Sequence, residues 1–278
     1  MTLQDLRREV KELFKENNID SPEADSGLLL MHIFNLSKTR LILDNFIISQ
    51  ERLDQTMSMA KRRINGEPIQ YIIGHCPFMD LDFKVNPATL IPRQDTEILV
   101  ETVSRFIEEN HSASLWDIGC GSGCIGITLA HIHPKLFVTE FDISKSALDT
   151  AKETARLYNL TERIDFVCHD ILSGMPNLPN PDVIVSNPPY IPSDDILTLQ
   201  KEVRDFEPLS ALDGGKDGLI FYREIAKHAP LSRGGMLAFE IGYDQGDSVP
   251  QILRENGYTN VNLIYDLSGN PRVVTGIY

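Results

Sequence analysis

Cysteine is scarce: only Cys76, Cys120, Cys124 and Cys168 occur in 278 residues. That is too few for a disulfide framework, which small secreted domains use in place of a large core. Cationic side chains are scarce as well. The 26 Lys and Arg against 40 Asp and Glu leave a formal net charge of -14. Gripping duplex DNA needs clustered Lys and Arg to replace phosphate counterions, so direct nucleic-acid binding is not expected. The run Lys61-Arg62-Arg63 leaves room for a local basic patch. No stretch approaches the roughly 18 apolar residues of a membrane span. Asp5, Arg7 and Arg8 stand where a signal peptide would need an apolar core. The expectation is a cytoplasmic protein with no membrane association. Long Gly/Ser tracts, low-complexity segments and internal repeats are absent too, so nothing reads as a floppy linker.

What is present is ordinary globular material, 42% hydrophobic and 24% charged, in a chain long enough for one large domain or two unequal ones. Three parts can be distinguished. Residues 1–73 read as helical. Leu3, Leu6, Val10, Leu13 and Phe14 recur at helical spacing behind Thr2 as N-cap. Ser21-Pro22-Glu23 opens a second helix, and a third spans about Gln50 to Ile64, ending at Asn65-Gly66. Residues 74–94 mix Phe78, Leu81, Phe83 and Val85 with Asp80, Asn86 and Pro87, the mark of a short connecting hairpin. Over 95–278 apolar runs alternate with helical stretches such as Ile125–His133, Lys145–Tyr158 and Leu219–His228. Strands are expected at Ser114–Ile118, Leu136–Phe141, Ile164–His169, Asp182–Ser186, Met236–Glu240, Val261–Ile264 and Val273–Ile277. Near-continuous apolar strands between helices imply an α/β fold with a mostly parallel sheet covered on both faces.

Two strand ends carry chemistry. The first strand runs into Gly119-Cys120-Gly121-Ser122-Gly123, and Gly121 opens a G-x-G-x-x-G match ending at Gly126. Glycines there let the backbone approach a ligand without a Cβ in the way, and the next helix offers free N–H groups. The next strand closes on Asp142, at about the 20-residue distance where a carboxylate meets ribose hydroxyls. Asp170 ends the third strand, within reach of an adenine amino edge. The bland alternative is a tight turn beside two surface acids. Loop, spacing and strand–helix context together favour a bound adenosine, without distinguishing a nicotinamide cofactor from S-adenosylmethionine.

The fourth strand ends in Asn187-Pro188-Pro189-Tyr190. An amide or adenine amino nitrogen is a poor nucleophile because its lone pair is conjugated. Methylating it requires two acceptors that hold both N–H bonds and aim the lone pair along the line of attack. The Asn187 side-chain oxygen and the Pro188 carbonyl suit that task. Two prolines stiffen the loop, and Tyr190 offers an aromatic wall. The bland alternative is a loop rich in turn formers with Tyr190 as a packing residue. Cys120, Cys124, His131 and His133 resemble a metal cluster in composition, but a glycine loop entering a helix spreads them apart, and no metal site is expected. Arg93 and Glu97 read either as an exposed ion pair at a helix start or as part of the pocket's closure; Glu240 ends a strand facing the same crevice without an assigned role.

Glycine loop, Asp142 and Asn187-Pro188-Pro189-Tyr190, in that order, resemble a class I S-adenosylmethionine-dependent methyltransferase acting on nitrogen. More closely, the chain is similar to the protein-(glutamine-N5) methyltransferases that modify peptide chain release factors. The likeness extends through Gly66-Glu67-Pro68-Ile69-Gln70-Tyr71, Thr89-Leu90-Ile91-Pro92-Arg93 and Phe206-Glu207-Pro208 to Ala211-Leu212-Asp213-Gly214-Gly215. It implies a Rossmann-like, seven-stranded, mostly parallel sheet behind a small helical substrate-binding domain. It also implies S-adenosyl-L-methionine as cofactor and S-adenosyl-L-homocysteine as product. The substrate implied is the glutamine of a Gly-Gly-Gln loop in a release factor. By resemblance, Gly119, Cys120, Gly121, Ser122, Gly123, Asp142, Asp170, Ile171 and Asn187 would hold the cofactor. Asn187, Pro188, Pro189 and Tyr190 would hold the glutamine and carry catalysis. Three alternatives stay open: a ribosomal-protein glutamine methyltransferase, an adenine-N6 nucleic-acid methyltransferase, and a cofactor-dependent binding module without turnover.

Overall fold

The structure is a computed structural model describing residues 1–278, and the chain divides into two compact units. One comprises Met1–His75 together with Gln200–Phe206; the other comprises Cys76–Leu199 and Glu207–Tyr278. No helix is long and apolar enough to cross a membrane.

The smaller unit is helical: α1 (Leu3–Glu16), α2 (Pro22–Phe34), α3 (Lys38–Leu43), α4 (Gln50–Ile64) and α5 (Ile69–Ile73). Thr2 caps α1 through a capping box with Asp5, satisfying amides that would otherwise lack partners. Leu3, Leu6, Val10 and Phe14 form its buried stripe and meet Leu29, Leu30 and Ile33 of α2 in one cluster. The run Lys61-Arg62-Arg63 is not an open basic patch. Arg62 pairs with Glu67, and the buried Arg63 bonds Asp25 at 2.7 Å and Glu202 at 2.9 Å. Glu202 lies outside the N-terminal sequence, on the short segment that the chain sends back into this unit.

The larger unit opens with a hairpin of β1 (His75–Phe78) and β2 (Leu81–Lys84), followed by α6 (Thr96–Asn110). The sheet is built from β3 (Ser114–Ile118), β4 (Phe137–Asp142), β5 (Ile164–Cys168), β6 (Val183–Ser186), β7 (Met236–Glu240), β8 (Thr259–Tyr265) and β9 (Pro271–Ile277). Intervening helices are α7 (Cys124–Ile132), α8 (Lys145–Leu157), α9 (Lys201–Phe206, counted with the smaller unit), α10 (Ile220–His228) and α11 (Ser248–Glu255). Strand order is β5-β4-β3-β6-β7-β9-β8, parallel throughout except where β9 runs antiparallel between β7 and β8. Strand alternation divides the apolar side chains between two layers. Leu115 packs with Leu99, Val103 and Ile127, while Trp116 and Ile118 pack with Tyr222, Ile225 and Val249. The chain order reverses between β3 and β6, so a crevice forms at the carboxyl ends of those strands.

One polar pair is sealed inside the sheet. Asp117 and Glu140 stand in register on β3 and β4, both fully buried. Asp117 Oδ2 accepts the Gly126 amide at 2.9 Å, and the remaining oxygens, Asp117 Oδ1 and both of Glu140, are buried with each other left to bond. A hydrogen bond between carboxyls needs a proton, and burial raises both groups above the ordinary carboxyl range. The folded state therefore binds these protons more tightly than the unfolded chain. The stability they contribute is complete below the unfolded value, about pH 4, and is lost as pH rises through the folded-state values. Glu140→Gln keeps a donor toward Asp117 and has no proton to lose. Thermal unfolding across a pH series should show a higher Tm than wild type on the alkaline side and a smaller difference in acid; parallel curves would contradict this.

Candidate functional site

At the carboxyl ends of β3, β4 and β6 lies a cavity of about 480 Å³, within the usual range of roughly 300–1,000 Å³ for small-molecule sites. Its floor is the turn after β3. Gly119 and Gly121 hold φ of 72° and 56°, a region glycine enters without strain, and both line the cavity with Cys120 and Ser122. Gly119 and Cys120 donate to the Phe141 carbonyl at 2.8 and 2.9 Å, tying the turn to β4. Gly123 is placed differently. It is absent from the cavity wall, and a Cβ there would meet Ile127 Cδ1 at 2.6 Å and Ala151 Cβ at 3.1 Å, so its smallness serves helix packing.

Asp142, at the end of β4, lines the cavity and accepts the Gly121 amide at 2.9 Å and the Ser144 amide at 2.8 Å. Each oxygen keeps a second lone pair for a ligand hydroxyl. Burial raises its carboxyl, while the Ser144 and Gly121 amides oppose that shift. Asp170 stands on the rim, exposed, with Oδ1 accepting the Leu172 amide at 2.9 Å. Ile171 is buried beside it, and Ile118 and Phe141 extend the apolar wall. Two carboxylates at successive strand ends, an apolar slot and a glycine floor open enough for close approach suit an adenosine-bearing cofactor.

The loop after β6 forms the opposite wall. Ser186 Oγ donates to the Ile118 carbonyl at 2.6 Å, locking β6 to β3 at the cavity edge. Asn187, Pro188 and Pro189 line the cavity, and Asn187 Nδ2 donates to Thr96 Oγ1 at 3.4 Å. Tyr190 is not part of the wall. Its ring packs against the cluster of Trp116, Tyr222 and Phe239, and burial pushes its phenol up to about 12. The backbone at this point is closely held. Gln245 Nε2 donates to the Tyr190 carbonyl at 3.1 Å, and Gly214 and Gly218 lie close against the backbone of Pro189 and Tyr190. At Gly218 (φ 71°) a Cβ would strike the Tyr190 carbonyl oxygen. Gly218→Ala should therefore cost more than about 2 kcal/mol, combining left-handed strain and overpacking. Thermal unfolding should record a lowered Tm; an unchanged Tm would show the contact relaxes freely.

Arg93 lines the cavity and pairs with the buried carboxyl of Glu207, not with Glu97. Glu97 instead accepts the Met79 amide at 3.2 Å. The exposed ion pair is thus replaced by two separate long-range ties. Pro208, Leu209, Ser210 and Asp213 complete the mouth. Thr96 lines the cavity beside Asn187, and Glu240 is buried behind them. The segment Phe206-Glu207-Pro208 was noticed only through family likeness, since a pair spanning 114 positions leaves no local pattern. His133 and His131 are accounted for without a metal: His133 Nε2 lies 2.8 Å from Ser104 Oγ, and His131 meets the Tyr158 ring edge-on.

This sheet order, with a glycine turn and an acid at the next strand end, defines a class I S-adenosylmethionine-dependent methyltransferase. Comparison with known proteins narrows that class. A family model described as "PrmC N-terminal domain" matches residues 5–74, and one described as "Methyltransferase small domain" matches residues 94–202. The release factor glutamine methyltransferase of Clostridium botulinum is 41% identical over 280 residues, covering 99% of this chain and 98% of that protein. That of Moorella thermoacetica is 39% identical over 284 residues, covering 98% and 97%. The solved hMettl16 catalytic domain, 13% identical with a TM-score of 0.53 over 84% of each chain, shares the fold alone. The chain belongs to the release factor glutamine methyltransferase family.

Proposed function

We propose that this chain methylates the side-chain amide nitrogen of a glutamine in a peptide chain release factor, with S-adenosyl-L-methionine as donor. The single observation that carries the chemistry is the placement of Asn187 and Pro188 on the wall of the cavity whose floor is Gly119–Ser122 and whose far side is Asp142. An orienting acceptor pair and a nucleotide-type cradle then share one enclosure. Kinship with the release factor methyltransferases over 99% of the chain supports glutamine over adenine. The Gly-Gly-Gln loop is the substrate element that the family likeness suggests.

The bound cofactor would supply an electrophilic methyl on a sulfonium. Every other part of the proposed mechanism belongs to the chain. Gly119, Cys120, Gly121 and Ser122 would allow the cofactor's close approach to the backbone, Asp142 would accept from its ribose hydroxyls, and Asp170 with Ile171 would flank its base. Asn187 Oδ1 and the Pro188 carbonyl accept the two hydrogens of the substrate amide. That fixes the amide plane and directs the nitrogen's lone pair out of it. As the nitrogen takes on positive charge its N–H bonds polarise, and both acceptors bind more strongly in the transition state than before it. Pro188 and Pro189 restrict the loop, so little reorganisation is needed when the substrate enters. Once methylated, the nitrogen carries one proton too many and releases it to solvent, so the role of these residues is orientation rather than proton abstraction.

The test is competitive. Methyl-labelled S-adenosyl-L-methionine is offered with unmodified release factor, ribosomal protein and adenine-containing DNA in parallel. Label is expected in the release factor. Label in DNA or ribosomal protein alone would replace this reading with one of the alternatives.

A further inference from the structure

Glu240 ends β7 with its carboxyl buried and Oε2 without a hydrogen-bond partner. Its backbone is committed elsewhere: the carbonyl accepts the Tyr222 hydroxyl at 2.9 Å, and the next amide, of Ile241, bonds the Arg272 carbonyl at 2.9 Å. The hydrogen-bonding side chains that act on the carboxyl are Thr96 and then Asn187. Asn187 Nδ2 also donates to Thr96 Oγ1 at 3.4 Å. Three side chains from β7, the start of α6 and the loop after β6 therefore meet at the cavity wall. Asn187 and Thr96 line the cavity, and Glu240 stands behind them.

The two ends of an Asn amide are nearly identical in shape and opposite in hydrogen bonding. With the nitrogen toward the cavity, Asn187 would point donors at the N–H bonds of the substrate amide and repel it. Something must select the end. A carboxylate only accepts, so it draws the Asn187 nitrogen inward and leaves Oδ1 facing the cavity. We propose that ionised Glu240 is a positioning residue that holds the Asn187 amide with its oxygen toward the substrate. This rests on the reading of Asn187 as an acceptor for the substrate amide.

A protonated Glu240 would carry a donor of its own and would no longer discriminate between the two ends. Burial pushes this carboxyl up to about 7. Thr96 opposes that shift, Asp95 adds to it, and Arg272 and Asn187 oppose it further. Tyr190, Tyr222 and Cys124 also lie within electrostatic reach of Glu240. Asp95 is itself paired with Arg272 at 3.1 Å. Because the ionised form selects the productive end, turnover at saturating cofactor should be high above this value and fall as pH drops through it.

The first test is a titration of the free protein. The side-chain amide resonances of Asn187, identified by their loss in Asn187→Ala, are followed from about pH 5.5 to 9. They should shift with a midpoint inside that range in wild type and stay flat in Glu240→Gln, whose side chain is neutral and offers both a donor and an acceptor. The second readout is kinetic. Glu240→Gln should lower kcat on release factor roughly tenfold at about pH 8, about 1.4 kcal/mol of barrier, with the KM for cofactor changed less than about twofold. Its acid limb should disappear. Resonances that ignore pH, or that titrate equally in Glu240→Gln, overturn the proposal, as does a Glu240→Gln enzyme with wild-type kcat and acid limb. The titration needs no substrate, so it decides the role of Glu240 even if release factor is the wrong acceptor.

Discussion

Asn187→Ala is expected to lower kcat by roughly 10²–10³-fold while changing cofactor affinity only a few-fold, because the lost acceptor acts chiefly on the substrate amide. The alanine side chain can neither hold an N–H bond in the plane nor polarise as charge builds on nitrogen. The unfavourable part is then the search for a reactive orientation, which the enzyme otherwise completes before the methyl moves. Asn187 contributes little to folding: its side-chain hydrogen bond to Thr96 is long at 3.4 Å. Thermal unfolding of the variant should match wild type within a few degrees. Turnover at near-normal rates would remove Asn187 from the mechanism.

Asp142→Ala should fail in the other way. Its carboxylate lines the cavity and accepts the Gly121 amide at the cavity floor and the Ser144 amide at the start of α8. Hydrogen bonds to charged groups contribute about 1.5–3 kcal/mol each. Losing the ligand contact and loosening the floor together should weaken cofactor binding by roughly 10²-fold. Calorimetric titration with S-adenosyl-L-homocysteine measures this without turnover. At saturating cofactor kcat should recover substantially, and Asp142→Asn, which keeps one acceptor oxygen, should fall between. Unchanged affinity in Asp142→Ala would exclude the carboxylate from the cofactor site. The two variants thus separate cofactor binding from substrate orientation within one enclosure.

How far the sequence revealed these features depends on whether a signal was local. The apolar runs ending in Ile118 and Ser186 marked strands because a buried parallel strand needs apolar side chains on both faces. Ser114–Ile118 and Met236–Glu240 match their observed bounds, and the other sheet strands lie within two residues of theirs. The helices over Lys38–Leu43 and Ile69–Ile73 were missed, since fewer than two turns leave no period to read. Gly123 looked like a ligand-facing glycine but is pressed against Ile127 and Ala151. Tyr190 looked like an aromatic wall but packs, partly buried, against the layer of Trp116 and Tyr222, which only the folded sheet assembles. Arg93 with Glu207, and Glu240 with Thr96 and Asn187, were invisible as sets because only the folded sheet brings them together. Strand-end motifs were legible; the side chains that aim them were not.

The claim at the centre of this account is that the methyl group arrives on a glutamine side-chain nitrogen. Release factor incubated with the enzyme and S-adenosyl-L-methionine, digested and fragmented by tandem mass spectrometry, locates the added mass directly. The account predicts one methyl group on the loop glutamine, released as methylamine on acid hydrolysis, and none when that glutamine is replaced by glutamate. A methyl group on any other residue, or a release factor left unmodified while DNA or ribosomal protein is labelled, would contradict it.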